Sequence, residues 1–297
     1  MPSLLRNRLA ERVLRPAFSV VGRHVDQRME RTTHAVQNDL DALHHEVADL
    51  RRRQYGLTLL LDGADRGTQR MPTATEIDTL VREVRTTTGG GEHARREVTS
   101  AYRTVVALEA LGIGRLPGST SDVCGKLATV PLLSPPGGDI LEIGPAHGLF
   151  AAALVRMMHR AGAEPRLTIV GPATDADQRE DVVRANLALG GVAFGSGAGL
   201  GARLLGGLPG DTAVRAAVAD REYGVIVVSG DHSRVGVAAD LEWAEEIAAS
   251  GAVVVLDGYG GQASPGVQDA TDRHLAGGVS RLRMLGRVAT TAYLRAG

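Results

Sequence analysis

Beyond residue 138 the chain alternates two hydrophobic patterns. Short, nearly continuous apolar runs are separated by longer stretches whose apolar positions recur three and four residues apart. The first run, Asp139–Ile143, predicts a strand and ends in a turn bounded by Gly144 and Gly148. Ala151, Leu154, Val155 and Met158 then mark the apolar face of a helix over about 148–161. Further strands are predicted over 166–170, 202–205, 223–228 and 252–256, with helices over 178–189, 211–220, 235–249 and 265–275. The last two strands, 281–286 and 289–294, lie too close together for a crossover helix and should pair as a hairpin. This alternation predicts an α/β protein: a Rossmann-like, seven-stranded, mostly parallel sheet with helices on both faces.

Upstream the pattern is helical. Residues 1–20 are basic and amphipathic, with Leu4, Leu5, Leu9, Val13 and Leu14 between arginines and Pro16 as a stop. They read as a helix docked on its own protein or on a partner, in preference to a membrane-surface helix, since Pro16 stops it early. Residues 22–54 read as one long helix. Val25, Met29, Thr32 and Val36, then Leu40, Leu43, Val47 and Leu50, alternate steps of three and four, with a stutter between the two sets. That spacing suits a short coiled coil and a homo-oligomer; an ordinary packed helix fits it equally. Ile77, Leu80, Val81 and Val84 predict another helix, residues 95–111 a further one, and Gly112 to Gly118 a linker. The chain therefore divides into an N-terminal helical extension (1–60), a helical linker or lid region (61–118) and a main α/β domain (119–297). Ser119–Lys126 reads as a helix N-cap carrying a surface lysine, in preference to a ligand entrance. The proline-rich stretch Val130–Gly138 leads into the first strand.

Composition narrows the function classes. The net charge of −1 provides no field to recruit nucleic acid or a membrane surface. A single cysteine, Cys124, excludes an internal disulfide and fits a reducing, cytoplasmic compartment. No apolar run approaches the ~20 residues of a membrane span, and the N-terminus lacks the continuous apolar core of a secretory signal. Lys126 is the one lysine among 33 basic residues.

In a sheet of this kind ligands bind at the carboxyl ends of the strands, near the switch in strand order. Four loops meet there in sequence order. They are Gly144-Pro-Ala-His147-Gly148, then Gly171 to Asp175 and Asp177, then Ser229-Gly-Asp231-His232-Ser233, then Asp257-Gly-Tyr259. Together they bring glycines, acids and histidines to one edge. The glycine spacing after the first strand is not that of a nicotinamide-binding fingerprint, which argues against a dehydrogenase.

With Glu142 placed two residues before Gly144, the first turn resembles motif I of class I S-adenosylmethionine-dependent methyltransferases, Ala146 standing at the middle glycine. The run from Ser229 through Ala239-Asp-Leu-Glu-Trp243 to Asp257-Gly-Tyr259 is similar to the macrocin-type O-methyltransferase and cephalosporin-hydroxylase-like subfamily. The resemblance covers about residues 119–297. It implies S-adenosylmethionine as cofactor, held by Glu142, Gly144, Gly148 and Ser229. Asp175 or Asp177 would supply the ribose acid that Gly171 lacks. A likeness to catechol-type O-methyltransferases puts His232 near their base, with Asp231 or Asp257 to orient it, and the resemblance implies a small-molecule hydroxyl acceptor. In metal-dependent members an Asp after the fourth strand and an Asp-Asp pair after the fifth bind Mg²⁺. Here Ser229 and Gly258 interrupt that set, leaving Asp257, with Asp231 nearby, as candidate ligands. The function implied is O-methylation of a sugar or secondary metabolite. The alternative is a methyltransferase-fold protein that has lost methyl transfer, serving as a binding protein or running another reaction in the same pocket.

Overall fold

The computed structural model describes residues 34, 36–44, 46–47, 50, 72–144, 147–171, 176–192 and 201–297. The chain forms two units, Met1–Arg53 and Gln54–Gly297. In the first, the described residues are helical, and Val36, Leu40, Leu43, Val47 and Leu50 are exposed. The helix expected over 1–20 lies outside the described residues, as do Val25, Met29 and Thr32.

The second unit opens with α1 (Ala74–Thr88), α2 (His93–Leu111) and α3 (Thr120–Leu132). A capping box starts α1, with the Thr73 side chain on the Glu76 N–H and Glu76 reaching back to the Thr73 N–H. The same device, Ser119 with Asp122, starts α3. The N-cap reading of Ser119 therefore extends into a full helix, with Pro131 in its last turn. Every residue from Asp122 to Pro131 is buried. A helix buried on all sides carries no amphipathic stripe, so its length is hidden from a periodicity reading.

The α/β part then runs β1 (Asp139–Ile143), α4 (Leu149–Arg160), β2 (Arg166–Gly171), α5 (Ala176–Leu189), β3 (Arg203–Gly206), α6 (Thr212–Val218) and β4 (Tyr223–Val228). It continues through α7 (Arg234–Ile247), β5 (Ala248–Asp257), α8 (Pro265–Ala276), β6 (Leu282–Val288) and β7 (Thr291–Ala296). The seven strands form one sheet in the order β3-β2-β1-β4-β5-β7-β6. The first five are parallel, and β7 runs antiparallel between β5 and β6. The hairpin turns at Ala289, whose φ is 49°. Gly286, where the predicted strand stopped, lies inside β6 at a register irregularity.

Alternation along the central strands divides the core. Val225, Val227, Val253 and Val255 join Ile140 on one face, against α1 to α5. Ile226, Val228, Val254 and Leu256 join Leu141 and Ile143 on the other, against α6 to α8. Strand order reverses at β1, which pairs with both β2 and β4. The carboxyl ends of β1 and β4 are thus neighbours, at the switch point of the sheet. Among the described residues, no helix is long and apolar enough to cross a membrane.

The approach to β1 crosses β4 at close range. A Cβ added to Gly224 would lie 1.8 Å from the Pro136 carbonyl oxygen. Gly224→Ala should therefore destabilise the domain by about 1–3 kcal/mol, read as a lower urea midpoint. An unchanged midpoint would show that residues 134–138 yield without cost.

Candidate functional site

Two glycines shape the turn after β1. Gly144 has φ 84°, and a Cβ there would sit 2.8 Å from the Gly230 Cα, so the turns after β1 and β4 touch backbone to backbone. Gly148, at φ 73°, caps α4 and would bring a Cβ within 3.0 Å of Val183. The Ser229 N–H donates to the Ile143 carbonyl at 3.0 Å and extends the β1–β4 ladder into the site. Pro145 and Ala146 lie outside the described residues.

A cavity opens on each side of this junction. The first, about 410 Å³, is lined by Lys126, Glu142, Gly148, His232, Asp257 and Ser264, among others. The second, about 610 Å³, is lined by Gly171, Pro209, Arg215, Asp231 and Asp240, among others. Gly144 and Ser229 line both.

In the first cavity Glu142 is 4% exposed, and its Oε2 is buried with no hydrogen-bond partner. Burial raises its pKa to about 7, against the opposing charge of Lys126. An orphaned carboxyl of this kind calls for a donor or cation from a ligand. Lys126 is not at the surface, contrary to the preferred sequence reading. Helix α3 carries it inward, where its Nζ lies 2.6 Å from Asp257 Oδ2 and 5.0 Å from the centroid of the Phe150 ring.

His232 and Asp231 are separated by the fold. The His232 Nδ1 lies 2.9 Å from Ser264 Oγ, in the first cavity. The Asp231 carboxylate instead accepts from the Ser233 N–H and hydroxyl, each at 2.7 Å, and lines the second cavity. Those bonds, aided by the nearby His232, lower its pKa. The expected partnership of Asp231 with His232 is thus replaced by Ser264, which sequence reasoning missed. Nothing in the spacing links residues 232 and 264.

The second cavity holds another buried acid that sequence reasoning left unassigned. Asp240 on α7 has its pKa raised to about 6 by burial and by the Asp231 charge, against Arg215. Arg215 stacks 5.3 Å from the Trp243 ring and donates to the Pro209 carbonyl at 2.9 Å. Its signal was the Asp in Ala239-Asp-Leu-Glu-Trp243. Asp175 lies outside the described residues, and Asp177 is helical with its side chain undescribed. His147 lines the first cavity, its carbonyl accepting from Asn186 Nδ2 at 2.7 Å. Tyr259 donates to Asp272 at 2.8 Å.

The residues present do not fit Mg²⁺. A hard divalent ion needs several oxygen ligands. Asp257 is paired with an ammonium, Asp231 faces the other cavity, and Ser229 and Gly258 bring no carboxylate. Among the described residues, no group of three or more His, Cys, Asp or Glu converges to hold a metal ion.

Residues 141–259 match the family model described as a methyltransferase domain. That segment runs from β1 to the loop after β5 of the Rossmann-like α/β sheet. Several solved methyltransferases are similar to the chain. The apo form of CalS11, a TDP-rhamnose 3'-O-methyltransferase of calicheamicin biosynthesis, is 18% identical; the match covers 76% of this chain and 96% of that one, with a TM-score of 0.46. The SAH-bound methyltransferase PaMTH1 of Podospora anserina is 16% identical, covering 81% and 95%, with a TM-score of 0.45. The O-methyltransferase NovP is 16% identical, covering 75% and 96%, with a TM-score of 0.40. No curated protein matches the chain.

Glu142 makes stability depend on pH. Its folded pKa, about 7, exceeds the ordinary 4.5, so the folded domain retains a proton that the unfolded chain releases. Stability is therefore highest below the ordinary value and falls as pH rises to about 7. Glu142→Gln should melt higher than the parent above that range, with the gap closing in acid. Thermal melts across pH check this, and a gap constant with pH would refute it.

Proposed function

We propose that this protein transfers a methyl group from S-adenosylmethionine to a hydroxyl of a small molecule, a sugar or secondary metabolite. One observation carries the reading. The His232–Ser264 pair and the Glu142, Gly144 and Gly148 group line the same cavity. The cofactor fits the residues present. The orphaned Glu142 carboxyl suits an amino group, and Gly144 and Gly148 let a ligand approach the backbone. The second cavity, reached past Ser229 and bordered by Asp240, suits the adenosyl part. When bound, the cofactor supplies an electrophilic methyl carbon whose bond to sulfur breaks, leaving the electron pair on sulfur, as the acceptor oxygen bonds to it.

The chain's own task is to position the acceptor and remove its proton. Ser264 holds His232 through Nδ1, which leaves Nε2 to take the hydroxyl proton. Asp231 acts at a distance, as a cap on the turn into α7. The exposed Val36, Leu40, Leu43, Val47 and Leu50 support self-association through the N-terminal helix.

The acids absent at Gly171, Ser229 and Gly258 favour a second reading, a binding protein without transfer. Calorimetry with S-adenosylmethionine, followed by turnover on a panel of hydroxyl acceptors, separates the two. Saturable binding with turnover is expected. His232→Ala should keep the binding and lose about 10²–10⁴-fold in kcat. No binding would overturn the cofactor reading, and binding without turnover would favour the second. Undiminished kcat in His232→Ala would remove the histidine from this role.

A further inference from the structure

The chain uses lysine once among its 33 basic residues, and the fold places that lysine in the cavity that holds His232. Lys126 is 3% exposed. A buried ammonium is stable only beside a counter-charge and hydrogen-bond acceptors. Asp257 Oδ2 provides one, at 2.6 Å, and the face of Phe150 adds a second favourable contact. An ammonium has three N–H donors. Asp257 takes one, and among the described residues Nζ meets no second hydrogen-bond acceptor. The cavity is where the remaining donors can be satisfied. A planar guanidinium is larger and directs its donors in a fixed fork. A compact charge in a tight site therefore explains lysine here in a chain that otherwise uses arginine.

The resemblance seen in the sequence would make Asp257 a metal ligand. The geometry makes it the partner of an ammonium instead, and among the described residues no group of three or more His, Cys, Asp or Glu converges to hold a metal ion.

We infer that Lys126 stands in for a divalent cation: it anchors Asp257 and binds the acceptor oxygen directly, so that the reaction needs no metal. Lys126 makes and breaks no covalent bond and keeps its proton. The acceptor's hydroxyl proton goes to His232. A single positive charge polarises a bound hydroxyl less than a divalent ion does, which leaves more of the proton removal to the histidine. The catalytic half of this inference rests on the proposed methyl transfer; the exclusion of metal does not.

The test has two parts. First, the full-length chain is titrated with MgCl₂ and MnCl₂ by calorimetry, and its thermal midpoint is followed. No saturable heat and no midpoint shift are expected. One-to-one binding abolished by Asp257→Asn would overturn the inference. Second, on any acceptor that turns over, excess EDTA should leave kcat and KM unchanged. Lys126→Met should lower kcat/KM about 100-fold, and Lys126→Arg should recover part of the loss. Parental kinetics in Lys126→Met, or loss of turnover in EDTA restored by Mg²⁺, would overturn it. If Lys126→Met does not fold, the metal titration and the EDTA assay on the unaltered chain still decide. A panel without turnover counts against the proposed function, while the titration separately decides metal exclusion.

Discussion

The parallel pairing of β1 with β4 is the constraint on which the site depends. It places the ends of two strands that lie far apart in sequence side by side at the point where strand order reverses. At that point the chain has no room for side chains, since Gly144 faces the backbone of Gly230. The glycine turn lets the two loops close on one another. The cavities on either side, sharing Gly144 and Ser229, are products of this contact.

Each cavity holds a buried acid with a raised pKa, Glu142 in one and Asp240 in the other. In both, burial is the leading cause and a nearby basic residue opposes it. Such carboxyls weaken the empty fold and become favourable when a ligand brings donors or positive charge. That is the expected character of a binding site whose polar groups are set before the ligand arrives. The Lys126–Asp257 pair differs, because its charges already compensate each other. It gives the first cavity a fixed cation that belongs to the chain.

The element supplying that cation lies outside the segment that matches the methyltransferase family. Helix α3 precedes residue 141, where the match begins. It is buried between α1, α2 and the sheet, and its Gly125 allows close contact with Val288. The helices before β1 therefore contribute both to the core and to the cavity wall.

The architecture was legible in the sequence because strand and helix periodicity is local. The runs 139–143, 166–170 and 223–228, and the spacing of the final hairpin, prescribe a parallel sheet with a turned-back edge. Topology then brings the strand-end loops together, so Gly144, Gly148, Ser229, His232 and Asp257, which those loops carry, line one cavity with Glu142, which the motif I resemblance singles out. What only the tertiary structure decided are pairings between residues distant in sequence. Lys126 and Asp257 are 131 positions apart, and His232 meets Ser264 across 32. It also parted Asp231 from its neighbour His232, because successive side chains in a loop can point into different cavities. Periodicity records which face of an element is buried. It does not record which distant side chain will be buried against it, since that is set by the packing of whole elements.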